Sequence, residues 1–197
     1  MKIVFFGDSV TETGRDLHSP DDLGKGYVKF AAEKLRSLYP EAHFKIVNRG
    51  VGGDGVKELA ARFQRDVVDE KPNIVVLQVG INNVWWRETD KNDFRFEYSN
   101  LVTALKTTGA RLIIVQPFSL PVDDFGRLRP RLNTFNKIID AIAKANDVPV
   151  IAMDEFFTDA AKNAPPTQFL LDGIHPTPHG HQCIADFVVK ELEKSLV

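Results

Sequence analysis

The chain has one cysteine, Cys183, so an internal disulfide and a cysteine-based zinc cluster are both excluded. No apolar run approaches the roughly 18 residues that span a membrane. The opening MKIVFFGDSV offers a single lysine and a short apolar run that Gly7 and Asp8 interrupt, too little for a secretory leader. A cytoplasmic protein with no membrane partner is expected. Excess charge is also missing: 25 basic side chains stand against 27 acidic ones, for a net charge of −2. Phosphate backbones need a concentrated basic surface, so no nucleic-acid partner is expected. No phosphate-cradling glycine loop follows the first apolar run, which argues against a nucleotide-binding α/β protein.

The 197 residues suit one domain, 1–197, and 43% hydrophobic residues supply a sizeable core. Short apolar, β-branched runs recur at Lys2–Phe6, Phe44–Asn48, Ile74–Val79, Arg111–Gln116 and Val148–Met153. Such near-continuous apolarity marks parallel strands covered on both faces. Between them run helical stripes: Tyr27 to Leu38, Tyr98 to Leu105, Leu132 to Ile142, and a last helix from about Pro178 to Leu196 that should bury Ile184, Phe187, Val188 and Leu192. Cys183 falls on that helix's apolar side, where a small buried thiol is expected. Strand–helix alternation predicts a three-layer α/β domain, a five-stranded parallel sheet of order 2-1-3-4-5 with helices on both faces. Pro117–Pro130 is the longest loop candidate.

In such a sheet, ligands bind beyond the carboxyl ends of the strands, where the strand order reverses. The phrases at that edge are GDSV (Gly7–Val10), NRGVGGDG (Asn48–Gly55) and GINNVWWR (Gly80–Arg87). Ser9 directly follows the first strand. Its hydroxyl is a weak nucleophile that needs a base within hydrogen-bond reach. Near the C-terminus, DGIH provides His175 as that base, with Asp172 three positions earlier to hold its tautomer. Developing charge on an ester carbonyl would need donors, which the Ser9 and Gly53 backbone N–H groups and the Asn82 side-chain amide can supply. Each residue also has a plainer reading: Ser9 and Asn82 as helix caps, Gly53 as a turn glycine, DGIH as a turn before a helix. His175, His179 and His181 could suggest a metal, but Pro176 and Pro178 interrupt a helical pair and no HExxH phrase exists, so no metal is expected.

Together, GDSV, NRGVGGDG, GINN and DGIH resemble the ordered blocks of the SGNH (GDSL-like) hydrolases, in a pattern spanning nearly the whole chain. The resemblance implies a flavodoxin-like fold and a serine esterase without cofactor. It makes Ser9 the nucleophile, Asp172 and His175 the rest of the triad, and Ser9, Gly53 and Asn82 the oxyanion hole. Asp8, Trp85, Trp86 and Arg87 are the accompanying candidates for substrate contact. One departure is Asn83, where the family usually has aspartate, and a change in local hydrogen bonding is expected there. The longer pattern is similar to a bacterial subgroup that includes acetyl xylan esterases, which implies removal of acetyl groups from a carbohydrate. A lysophospholipase or thioesterase of the same fold, and a catalytically silent carbohydrate-binding domain, are the alternatives. The resemblance leaves room for a homo-oligomer, although no sequence feature compels one.

Overall fold

The computed structural model describes residues 1–87 and 89–195. Leu196, expected at the end of the last helix, lies outside the described residues. The chain runs β1 (Lys2–Gly7), α1 (Ser9–Glu12), α2 (Tyr27–Leu38), β2 (Lys45–Gly50), α3 (Val56–Phe63), β3 (Ile74–Gln78), α4 (Ile81–Val84), α5 (Lys91–Thr107), β4 (Arg111–Val115), α6 (Arg129–Ala145), β5 (Val150–Ile151), α7 (Met153–Ala160) and α8 (Pro178–Glu193). All strands are parallel, in the order β2-β1-β3-β4-β5 that the alternation predicted.

The apolar runs are continuous because both faces of the sheet are covered. Val4 and Phe6 of β1 pack toward α3, α5 and α6, while Ile3 and Phe5 pack toward α2, α7 and α8. The same alternation places Val75 and Leu77 on the first face and Ile74 and Val76 on the second. The α2 stripe buries Tyr27, Val28, Ala31, Ala32 and Leu35 completely. Burying a leucine fully contributes about 1.5–3 kcal/mol, so this one stripe fastens the helix to the sheet.

Several elements differ from expectation. The fifth strand contracts to Val150–Ile151, because Val148 donates its N–H to Ala143 at the end of α6 and Met153 already begins α7. Helices α3 and α7 were not among the stripes expected, although Val56, Leu59 and Phe63 of α3 fall on one face. The segment Pro117–Pro130 is only half loop: a 3-10 turn occupies Asp123–Leu128, and α6 starts at Arg129 with Pro130 in its first turn. Phe187 is 37% exposed, lying edge-on against Phe156. Cys183 is half-buried, and burial raises its thiol pKa. Among the described residues no helix is long and apolar enough to cross a membrane.

Strand register brings three loops together. Gly7, at the end of β1, stands opposite Gly50 of β2 and Gln78 of β3. These strands therefore end level, and their loops emerge side by side at the point where strand order reverses.

Candidate active site

Asp8 turns the chain out of β1. Its backbone is extended (φ −97°, ψ −151°), and its Oδ1 accepts the Val10 N–H at 3.0 Å, which caps α1 and makes Ser9 the first helical residue. Ser9 is thus not itself the cap, and its hydroxyl is left for other work. Asp8 is fully buried, so the structure removes it from the substrate contacts expected from the sequence and places it beneath the serine. Behind it, Thr11 Oγ1 donates to Gln78 Oε1 and meets the Tyr27 hydroxyl at 2.9 Å.

The far end of the chain arrives at the same edge. Ser9 Oγ lies 3.1 Å from His175 Nε2, across 166 positions of sequence. His175 Nδ1 is 2.6 Å from Asp172 Oδ2, while Asp172 Oδ1 accepts the His175 and Ile174 backbone N–H groups at 2.8 and 3.0 Å. Partial burial pushes the Asp172 carboxyl up, but His175 and these two N–H groups more than offset it and hold it below the usual carboxylate range. An ionised Asp172 accepts the Nδ1 proton, which leaves the Nε2 lone pair facing Ser9.

The loop carrying these two groups is braced from both sides. Leu171 donates to His175 O at 2.7 Å and Thr177 to Phe169 O at 2.9 Å, closing a tight turn. Gly173 sits at φ +104° with its carbonyl accepting the Leu120 N–H, and an added Cβ would meet Leu120 O and Phe125 at 2.8 Å. Glycine is required there by both conformation and space. His181 is buried, accepts the Tyr27 N–H on Nδ1 and stacks on its ring, and burial lowers its pKa to about 4. His179 is exposed beside Phe169. Neither joins His175 at the serine.

The remaining loops complete the edge. Gly53 takes φ +80° in the loop after β2, next to Gly52, where a built Cβ would sit 3.8 Å from Ser9 Cβ. Among the described residues neither the Ser9 nor the Gly53 backbone N–H has an acceptor. Asn82, buried in α4, donates one amide hydrogen to Asp54 O at 2.8 Å and accepts the Trp86 indole N–H at 3.1 Å, so one amide hydrogen remains. Trp86 is 53% exposed, with its ring 3.9 Å from where a Cβ on Gly53 would stand; Trp85 packs on Phe125. Arg87 lies over the Trp86 ring and bonds Glu58 and Gly53 O. Asn83 fills its changed position by accepting the Val56 N–H and donating to Thr89 Oγ1.

Sequence reasoning missed Arg62. Its guanidinium donates to Gly7 O, Arg49 O, Asp54 and Asp66 and lies over the Phe6 ring, tying together the ends of β1 and β2 and the loop bearing Gly53. An arginine directly before the apolar Phe63 of an amphipathic helix was the available signal.

The model of the GDSL-like lipase/acylhydrolase family matches residues 5–183. The chain belongs to that family. Its chemistry is therefore acyl ester hydrolysis by a serine esterase. An acetylxylan esterase from Geobacillus stearothermophilus is 29% identical over 97% of this chain and 93% of its own. An arylesterase from Vibrio mimicus is 25% identical, with 89% and 86% covered. The crystal structure of the Geobacillus enzyme superposes with a TM-score of 0.89 at 27% identity, covering 96% of this chain and 93% of that one. Solved forms of that enzyme include catalytic mutants with alanine at a serine, at an aspartate, and at a histidine three positions beyond the aspartate.

Proposed function

We propose that the protein is a deacetylating esterase acting on small acyl esters of a carbohydrate, with Ser9, His175 and Asp172 as its catalytic triad. The observation that carries this reading is the unbroken Ser9–His175–Asp172 chain of contacts at 3.1 and 2.6 Å. The same serine–aspartate–histidine set, with the same spacing of the last two, is altered in the catalytic mutants of the Geobacillus acetylxylan esterase, which supports the assignment.

His175 Nε2 takes the Ser9 proton as Oγ bonds to the ester carbonyl carbon. The Ser9 and Gly53 N–H groups and the free Asn82 amide hydrogen receive the oxyanion. His175 then delivers its proton to the leaving alcohol oxygen as the C–O bond breaks. Water, deprotonated by His175, releases the acyl group by the reverse sequence and restores the serine. Asp172 stays ionised throughout and stabilises the imidazolium. Trp86 presents a flat exposed ring near Gly53, a surface suited to the apolar face of a sugar. Trp85 is assigned to packing and Arg87 to holding Trp86.

The test compares p-nitrophenyl acetate, butyrate and octanoate as substrates of the wild type and Ser9→Ala, followed by acetylated xylo-oligosaccharides. Turnover that is lost in a folded Ser9→Ala protein and falls with chain length is expected. Turnover rising with chain length would replace deacetylation by a long-acyl activity, and serine-independent turnover would remove the triad.

A further inference from the structure

A separate recess is lined in part by Arg15, His18, Arg49, Val51, Arg65 and Asp66. It shares the edge of the sheet with the site. Arg15 follows the helix that begins at Ser9, and Val51 immediately precedes Gly52, which lies against Ser9. Three guanidinium groups reach this recess, against one carboxylate.

The nearby acids are already committed. Asp66 bonds Arg62 and Arg65 through both oxygens, Glu70 pairs with Arg49 and Lys2, and Glu12 accepts the Gly52 N–H. Arg15 is left over. Its Nη2 donates to Gly50 O at 2.6 Å, its Nε is buried without an acceptor, and among the described residues no carboxylate lies within ion-pair distance of it. Burial, then the Arg49 and Arg62 charges, work against its protonated form, and the Glu12 and Asp66 carboxylates oppose them only in part. A half-buried guanidinium with no carboxylate in ion-pair contact is stabilised by an oxyanion that enters beside it, and the arginine fork suits carboxylate or phosphate.

We propose that this recess binds an oxyanion substituent, a carboxylate or a phosphate, carried on the esterified sugar, and that Arg15 is its principal contact. The favoured substrates are then acetyl esters of acidic saccharides. This rests on the deacetylating reading and extends it to the substrate class.

The test measures kcat/KM for acetylated methyl glucoside, acetylated methyl glucuronide and acetylated glucose 6-phosphate, in the wild type, Arg15→Gln and Arg15→Lys. The ratio of acidic to neutral substrate is read within each protein, so any loss of folded material cancels. A wild-type ratio of about tenfold or more, expressed in KM, is expected for at least one acid. It should shrink toward unity in Arg15→Gln and at high salt, and recover in part in Arg15→Lys. The acid that shows the preference identifies carboxylate or phosphate as the ligand. Hydrolysis of the neutral sugar with no preference for either acid overturns this proposal alone, as does a preference that survives in Arg15→Gln. Failure on all three sugars, the neutral one included, overturns the deacetylating reading beneath it.

Discussion

Asp8 caps the helix that Ser9 opens, and its titration measures how firmly that turn is seated. Its carboxyl is fully buried, with Oδ1 on the Val10 N–H and Oδ2 lacking a partner. Burial raises its pKa from the ordinary 3.8 to about 7; the Val10 N–H opposes this, Asp54 adds to it, and Gln78 and Arg62 oppose it further. Between those two values the folded protein keeps a proton that the unfolded chain has lost. Unfolding then releases a proton, so this group's contribution to stability falls as pH rises through the window and levels off above it. The gap is roughly three pH units, which at about 1.4 kcal/mol each sets a ceiling of about 4 kcal/mol.

Asp8→Asn removes the titration and keeps the capping oxygen. The network can receive the new amide: Gln78 turns its own amide over, offers its oxygen to Asn at position 8, and donates its nitrogen to Thr11 Oγ1, which then donates to Tyr27. Urea unfolding of both proteins across pH 4 to 8 is the assay, with equal m-values required. Other groups titrate alike in the two proteins, so the difference isolates Asp8. The variant should gain on the wild type steadily up to about pH 7, by as much as about 4 kcal/mol, and the gap should then stay constant. Parallel pH profiles would refute the reasoning, because they would mean that the buried carboxyl ionises in the folded state as easily as in the unfolded chain.

Asn82→Ala should lower kcat by about 10²–10³ on p-nitrophenyl acetate if its amide is the oxyanion donor proposed above; an unchanged kcat takes Asn82 out of the chemistry. Gly173→Ala should cost about 1–3 kcal/mol and reduce kcat, because the side chain would strain a left-handed position and press Leu120 and Phe125 while Asp172 and His175 flank it. An unaltered Tm would contradict that account. Asn83→Asp, which restores the residue usual in the family, should leave kcat within about twofold and stability within about 1 kcal/mol. Either oxygen can accept the Val56 N–H or the Thr89 hydroxyl, and a carboxylate suits the N-terminus of α3. A large gain in activity would show that Asn83 limits turnover.

The sheet was legible because its strands are buried on both faces, which writes an unbroken apolar run into the sequence at β1, β3 and β4. The site was legible for a related reason: three level strand ends gather the phrases that come after them, so polar and glycine-rich text appears where the apolar runs stop. What stayed hidden is what depends on direction. Asp8 and Ser9 are neighbours in one polar phrase, yet a single capping turn sends one carboxyl into the core and one hydroxyl to the surface. Trp85 and Trp86 divide in the same way. Helix α3 keeps an apolar face at Val56, Leu59 and Phe63, and the role of Arg62 next to that face shows only in three dimensions. The partners of Arg62 lie from four to fifty-five positions away, at Asp66, Asp54, Arg49 and Gly7. Its donors reach the Arg49 carbonyl and share the Gly7 carbonyl with the Val51 N–H, in a place where unpaired buried groups are expensive. The same bonds fix the loop after β2 against the loop after β1. In the proposed mechanism an ester carbonyl meets both Gly53 and Ser9, and an arginine that contacts neither belongs to the reason the two loops share one geometry.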